Sequence, residues 1–324
     1  MADSGVEQVR EGAVDSADGA RGGSGAGQFF RRLLTEKPLG TVGAVITLLL
    51  LLTGIFADVL APYGFNETEV GDFLQPPSRQ FWLGTDNLGR DVLSRVIYGA
   101  RISMVVGLAA TTVSTLISTA IGLLCGYWGG KFDLVVQRFV DGWMCLPYLP
   151  ILMVVMAIVG PGLLGLIIVM GVSGGIGGSR FSRSVVINIK ENSYLEASVA
   201  IGGSTSRVLF RHILPNILAP IIISFSLAVP GVILGEASLS FLGFGIPPPA
   251  PSWGGMLSGS GRRFMFNAPW MVIWPGLALS IVVYGVNMFG DAVRDLLDPR
   301  LRGGAGSYRA QGSRRRARER VESA

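Results

Sequence analysis

Long stretches without charged side chains alternate with polar segments along the chain. A helix that crosses a bilayer needs about 20 apolar residues, because the hydrocarbon core is about 30 Å thick and a helix rises about 1.5 Å per residue. The third of the long uncharged stretches has room for two spans, and Gly160-Pro161-Gly162 supplies a break between them. The pattern therefore predicts an all-α integral membrane protein with about six transmembrane helices. The uncharged stretches are residues 38–57, 102–130, 142–179, 213–235 and 264–290.

These stretches divide the chain into four regions. Residues 1–27 contain few large apolar side chains and no secretory signal pattern, so we expect a disordered tail and a mature chain that starts at or near Met1. A first span with an outer segment follows in residues 28–101, then a core in residues 102–290 and a basic tail in residues 291–324. The six predicted spans are residues 38–57, 102–127, 142–160, 162–179, 216–236 and 270–290.

Composition and charge support a membrane location. Hydrophobic residues make up 49% of the chain and charged residues 15%, against about 25% charged residues in an ordinary soluble domain. If the N-terminus is cytoplasmic, 21 of the 27 Lys and Arg residues fall in cytoplasmic segments. We therefore expect a multi-pass protein of the cytoplasmic membrane with both termini inside. The net charge of +5 reflects basic residues in the C-terminal tail and beside the spans, and predicts contact with lipid rather than nucleic acid.

The chain lacks the chemistry of a self-sufficient pump or enzyme. The uncharged stretches hold no ionisable group, which argues against an ion-coupled carrier; Glu236, at the outer end of the fifth span, is the nearest and suits a gating or interface pairing. No nucleotide-binding Gly-x-x-x-x-Gly-Lys-Ser/Thr motif is present, and His212 is the sole histidine. We predict no catalytic residue, metal or cofactor, so energy must come from a partner.

One short motif has a catalytic alternative. The string from Gly171 to Gly175 matches the Gly-x-Ser-Gly of rhomboid intramembrane proteases, with Ser173 as the nucleophile. A base must lie within hydrogen-bond reach of such a serine, and His212 falls about half a bilayer thickness away. Close packing of helices explains the same small residues and is the favoured interpretation.

Residues 180–215 form the longest internal segment on the predicted cytoplasmic side. Ser193 can cap a short helix that carries Glu196, with Leu195, Val199 and Ile201 on an apolar side, and Gly202-Gly203 ends it. A second amphipathic piece then leads to Pro215, which marks the entry to the fifth span. Periodicity alone would also fit an ordinary surface connection.

This segment resembles the coupling loop of ABC importer permeases, whose pattern is Glu-Ala-Ala, three residues, Gly, nine residues and Ile-x-Leu-Pro. Ser198 and His212 replace two residues of that pattern, while the spacing is intact. The matching residues are Glu196, Ala197, Gly202, Leu214 and Pro215. Further stretches resemble the dipeptide and oligopeptide permease family, second-permease (C-type) subunits, over residues 28–302: FWLGTDNLGRDVLSRVIYGARIS, GYWGGKFD, GEASLSFLGFGIPPPAPSWGGML and GDAVRDLLDPR.

The resemblance implies a type I ABC importer permease (MetI-like) fold and a set of partners. A second, related permease would complete a heterodimer, two cytoplasmic ATP-binding subunits would dock on the coupling loops, and an extracytoplasmic binding protein would deliver dipeptides or oligopeptides. Glu196, Ala197 and Gly202 would shape the coupling helix, and Leu214 and Pro215 would set its angle to the fifth span. Related importers of nickel chelates or glutathione stay open as alternatives.

The outer segment before the second span carries four charged residues at helical spacing: Asp86, Arg90, Asp91 and Arg95. Opposite charges four residues apart suit an exposed surface helix, and a solvated face is the favoured interpretation. Docking of the binding protein is the alternative. The outer loop at residues 244–269 contains Trp253 and could cover the transport pathway.

Overall fold

The computed structural model describes residues 25–297. Helices make up most of this part of the chain, and its one β-bridge joins Thr85 to Asp91 in the outer segment. The all-α prediction is confirmed. The helices are α1 (Gly25–Glu36), α2 (Pro38–Ile55), α3 (Ala57–Leu60), α4 (Val92–Trp128), α5 (Gly130–Met144), α6 (Tyr148–Val159), α7 (Leu163–Lys190), α8 (Ser193–Ala200), α9 (Thr205–Phe241), α10 (Trp253–Leu257), α11 (Gly259–Phe264) and α12 (Trp270–Leu297).

Within the described residues, five helices are long and apolar enough to cross a membrane: α2, α4, α7, α9 and α12. A sixth crossing is counted only if α5 and α6, which meet at 92°, form one broken span. The predicted span over residues 142–160 is not one continuous helix, because it covers the last residues of α5, the bend and α6. Pro147 lies at this bend, where its missing N–H and fixed φ do not allow α5 to continue. The predicted break before α7 is confirmed, because Gly160 and Gly162 adopt φ values of +91° and +158°.

Two spans are longer than predicted. Helix α4 starts at Val92, because the Asp91 carboxylate accepts a hydrogen bond from the Ser94 backbone N–H at 2.8 Å and caps the helix. Helix α7 continues beyond the predicted end at residue 179 as far as Lys190, so Arg180 and Arg183 lie on a helix and not in a loop. Both arginines are paired with acidic residues of α5, which lowers the cost of placing them there.

Small residues let α4 and α7 pack closely along their length. A Cβ at Gly122 would lie 2.4 Å from Ser182 Cβ, and one at Gly171 would lie 2.6 Å from Val113. The hydroxyls of Ser118 and Ser182 form a buried 2.7 Å hydrogen bond across this contact. The glycines around Ser173 therefore serve helix packing, as the favoured interpretation predicted.

Helices α2 and α12 make a second close contact, and α9 packs against both α12 and α4. A Cβ at Gly43 would lie only 2.5 Å from the carbonyl oxygen of Gly285. Many large apolar side chains on the spans stay exposed, among them Leu48, Ile158 and Ile281. Exposed apolar side chains on a set of long apolar helices match a lipid environment.

Candidate functional site

The segment that resembles a coupling loop follows α7. Glu196 and Ala197 lie in the short helix α8, which begins at Ser193 as predicted. Gly202 turns the chain with φ +83°, a left-handed conformation that favours glycine, and Ser204 then caps α9 by accepting the Arg207 N–H. The predicted order of short helix, glycine turn and second helix is confirmed. The loop is shorter than predicted, because α7 takes up its first eleven residues.

Leu195 anchors helix α8 in a hydrophobic cluster at the ends of three spans. Leu195 is only 3% exposed and belongs to a cluster with Leu123 of α4, Val186 of α7 and Ile213 of α9. Leu214 packs against the same cluster, whereas Pro215 is exposed. A displacement of α8 would therefore act directly on α4, α7 and α9.

The second piece of the segment is not separate from the fifth span. The chain forms one continuous helix from Thr205 to Phe241, which widens into a π-helical turn at Val208–Ile213 immediately before Pro215. A proline ring clashes with the carbonyl four residues earlier in a regular α-helix, and a wider turn removes that clash. Pro215 thus lies in the first turn of the regular α-helix that follows this widening, and the continuous helix begins ten residues earlier, at Thr205.

Part of the segment is open to a partner. Ile201 is 87% exposed and Tyr194 is 46% exposed, and a side chain added at Gly202 would meet no atom within 4 Å. The prediction that Ile201 packs on an apolar side together with Leu195 is wrong, because the left-handed turn begins at the next residue and directs the chain away. These exposed positions are accessible to a partner, and aromatic side chains are enriched in protein contact surfaces.

Glu236 lies near the opposite end of α9 and is completely buried within its own chain. The Ser240 hydroxyl donates to its Oε1 at 2.7 Å, and Oε2 has no hydrogen-bond partner within the described residues. A carboxylate enclosed in this way cannot contact another subunit in this conformation. Of the two predicted roles, gating is the one that this position allows.

The four charged residues of the outer segment are buried, so the predicted exposed helix is wrong. Asp86 and Arg90 lie in the loop before α4, Asp91 caps α4, and Arg95 lies in its first turn; their exposed fractions run from 3% to 9%. Asp86 Oδ2 accepts from Arg90 Nε at 2.7 Å and lies 3.7 Å from Arg95 Nε. The two ion pairs, and the hydrogen bonds that Asp91 accepts from Ser94, offset part of the cost of burying these charges.

This ion cluster connects separate parts of the outer face. The Arg95 guanidinium donates to the carbonyl oxygens of Phe65, at 2.9 Å, and Pro249, at 3.4 Å. Trp253, which is 2% exposed, donates its indole N–H to the carbonyl of Val96 at 3.0 Å. The loop that contains Trp253 is thus fixed against α4.

The ion cluster lines an outer cavity of about 260 Å³. Asp86, Arg90 and Arg95 line it, together with Ser252 and with Ser240, the hydrogen-bond donor to Glu236. The coupling residues lie at the other end of the spans. Sequence reasoning did not identify the serines, nor the partners of Leu195 in α4 and α7, because these pairs are far apart in the sequence and no local pattern joins them.

Two family models match the chain. The model described as "binding-protein-dependent transport system inner membrane component" matches residues 118–303. A second, described as the N-terminal transmembrane domain of oligopeptide transport permease C, matches residues 26–77.

Individual relatives are similar over most of their length. The dipeptide transport system permease protein of Alkalihalophilus pseudofirmus is 40% identical over 275 residues, which cover 85% of this chain and 90% of the relative. The oligopeptide transport system permease protein of Bacillus subtilis is 39% identical over 267 residues, 82% of this chain and 87% of the relative. A glutathione transport system permease protein of Pectobacterium atrosepticum is 35% identical over 276 residues, 85% and 91% respectively.

Proposed function

Since the chain belongs to the family of binding-protein-dependent transport system inner membrane components, we propose that it is one of two permease subunits of an ATP-driven importer of dipeptides and oligopeptides. The family assignment confirms the predicted resemblance and the prediction that the chain is a transport permease and not an enzyme. The similarity to permeases named for dipeptides and oligopeptides supports the substrate class.

The proposed mechanism rests on the packing of Leu195 of α8 against α4, α7 and α9. In the proposed importer, two cytoplasmic ATP-binding subunits contact the coupling segments of this chain and of a second, related permease. Closure of the ATP-binding subunits displaces α8. Because Leu195 packs against α4, α7 and α9, the displacement moves these helices as packed bodies, and alternating access follows.

Orientation and the outer partners belong to the same proposal. Both termini and α8 lie in the cytoplasm, and the outer loops face an extracytoplasmic binding protein that delivers the peptide. Asp86, Arg90, Asp91 and Arg95 are buried, so they contribute to docking by holding the loops that meet the binding protein. Glu236 acts in gating through Ser240, whose hydroxyl donates to its carboxylate and which lines the outer cavity.

Glutathione is a second candidate substrate, because one relative is named as a glutathione permease and glutathione is itself a small peptide. Nickel chelates stay an alternative by family resemblance. Competition in an uptake assay separates the three. Excess unlabelled dipeptide abolishes uptake of a labelled dipeptide by a peptide importer, whereas glutathione or a nickel chelate competes only if the transporter accepts it.

The test of the proposed function begins with purification of the tagged full chain from its own membrane in mild detergent. We expect a second permease and ATP-binding subunits to co-purify, and the complex to show ATPase activity that depends on the coupling segment. Glu196→Ala and Gly202→Val should lower activity, and Gly231→Ala is the matched control, because a side chain there meets no atom within 4 Å. A chain recovered without an ATPase, or full uptake by both coupling variants, would contradict the proposal.

A further inference from the structure

Helix α5 packs against the second half of α7 and does not continue in the direction of α6, with which it makes an angle of 92°. Two ion pairs hold α5 to α7: Arg183 with Asp133, and Arg180 with Asp141. Helix α6 contains no charged residue, whereas α5 carries four, so the bend suits an α6 that enters the bilayer and an α5 that lies along its surface.

The depth of this contact agrees with such a position. Arg180 and Arg183 lie about 26 to 30 Å along α7 from Leu163, at 1.5 Å per residue. The hydrocarbon core is about 30 Å thick, so the two arginines reach the headgroup level at the end of the spans that carries the coupling segment.

The groove between α5 and α7 has more positive than negative charge. It has a volume of about 510 Å³, and its charged lining residues are Asp133, Arg138, Asp141, Arg180 and Arg183. Asp133 is occupied by two hydrogen bonds from Arg183. Arg138 and Arg180 share the single carboxylate of Asp141, and the Arg138 side chain, 3.4 Å from that carboxylate, is 76% exposed. One positive charge of the lining thus has no carboxylate of its own.

An apolar ridge runs beside the charged groove. Phe132, Val135 and Phe139 follow each other at helical spacing on α5 and are 42%, 66% and 67% exposed. A helix with an exposed apolar ridge next to basic side chains is typical of the membrane interface, where the ridge enters the acyl region and the cations meet phosphates.

We propose that the groove between α5 and α7 binds the headgroup phosphate of an anionic phospholipid in the leaflet on the coupling-segment side. Arg138 and Arg180 are the phosphate contacts, and the ridge of Phe132, Val135 and Phe139 lies against the acyl chains. The positive charge of the groove, its depth and its apolar border favour a lipid over a soluble anion.

The test is native mass spectrometry of the purified transporter titrated with phosphatidylglycerol, with phosphatidylcholine or with inorganic phosphate. We expect a retained phosphatidylglycerol and weaker binding of phosphatidylcholine. Arg138→Gln should weaken phosphatidylglycerol binding roughly 5-fold, since one basic residue near an anionic surface contributes about that factor, and Arg138→Gln with Arg180→Gln should weaken it further. The double variant Arg262→Gln with Arg263→Gln, at the other end of the spans, is the matched control and should bind as the unchanged chain does.

Four outcomes would overturn the proposal. Equal affinity for the two lipids, or equal behaviour of the Arg138 variant and the control, excludes a headgroup site in this groove. Displacement of phosphatidylglycerol by millimolar phosphate indicates a simple anion site. Lipid binding by the isolated chain but not by the assembled transporter indicates that a partner subunit covers the groove. Because Arg138 is exposed, its single substitution leaves the fold intact even if loss of Arg180 does not.

Discussion

Arg95 is buried, although the spacing of charged residues around it predicted an exposed helix face. Its position four or more residues from Asp86 and Asp91 resembles an exposed helical ion-pair pattern. In the structure the guanidinium is 8% exposed and bonds to two backbone carbonyls that belong to different outer loops. The spacing of charged residues does not predict these contacts, because every residue has a backbone carbonyl and the sequence does not show which ones lie near Arg95.

Arg95→Ala should therefore destabilise the outer face. Loss of the guanidinium leaves the carbonyls of Phe65 and Pro249 unpaired and removes one cation near Asp86, at a cost of about 3 kcal/mol. We expect a lower melting temperature of the detergent-solubilised chain and faster trypsin cleavage after the exposed Arg79. Arg32→Ala breaks an exposed pair with Glu36 and is the control. Equal melting temperatures for the two variants would show that the buried cluster is not stabilising.

A second prediction concerns Glu236. Glu236→Gln keeps an acceptor for the Ser240 hydroxyl, now 2.7 Å from Oε1, and removes the enclosed charge, so the variant should fold as well as the unchanged chain. Glu236→Ala leaves that hydroxyl unpaired in a completely buried place and should lower the melting temperature, by a loss of about 1–3 kcal/mol. If the carboxylate charge itself is needed for gating, Glu236→Gln folds normally but transports poorly; normal uptake by this variant would limit the residue to a structural role.

Among the helices, those that coincide with a long uncharged stretch of sequence could be predicted. The starts of α2 and α12, at Pro38 and Trp270, agree with the predicted spans, because each of these helices is continuous over a long apolar stretch. The start of α4 and the end of α7 lie outside the predicted spans. Asp91 caps α4 and Asp141 and Asp133 pair with Arg180 and Arg183 of α7, so both helices continue through charged residues. The bend between α5 and α6 could not be predicted, because the length of an uncharged stretch does not reveal whether the helix changes direction within it.

The coupling helix provides the prediction at this scale. Leu195→Ala removes the side chain that anchors α8 in the cluster with Leu123, Val186 and Ile213. We expect ATP-binding subunits still to co-purify, because the exposed surface of the segment is unchanged, while transport per ATP hydrolysed falls. Ile201→Ala is the control: it also replaces an apolar side chain by alanine, but at a position that is 87% exposed and outside the cluster. Transport per ATP hydrolysed should stay unchanged in this variant. Loss of ATPase binding in the Leu195 variant would place its role in docking rather than transmission.

For the molecule as a whole, the sequence predicts the local structure of the coupling segment but not the contacts that hold the outer face together. Glu196, Gly202 and the glycine turn follow from local patterns, and the structure places them on one end of the spans. The outer cavity, lined by the ion cluster and by Ser240, depends on contacts between residues far apart in sequence. Such contacts form only when α4, α9 and the outer loops pack together, so no local period encodes them.

Membrane orientation is the prediction that tests this arrangement of two ends. Ile201 and Phe266 are 87% and 89% exposed and lie at opposite ends of the spans, so a cysteine at either position should be freely reactive. The native Cys145 is exposed and is first changed to serine, whereas Cys125 is buried and can stay. In intact cells, a membrane-impermeant maleimide should label Phe266→Cys, and Ile201→Cys only after the membrane is opened. The opposite result would reverse the orientation and place α8 out of reach of cytoplasmic ATPases, which would contradict the proposed mechanism at its first step.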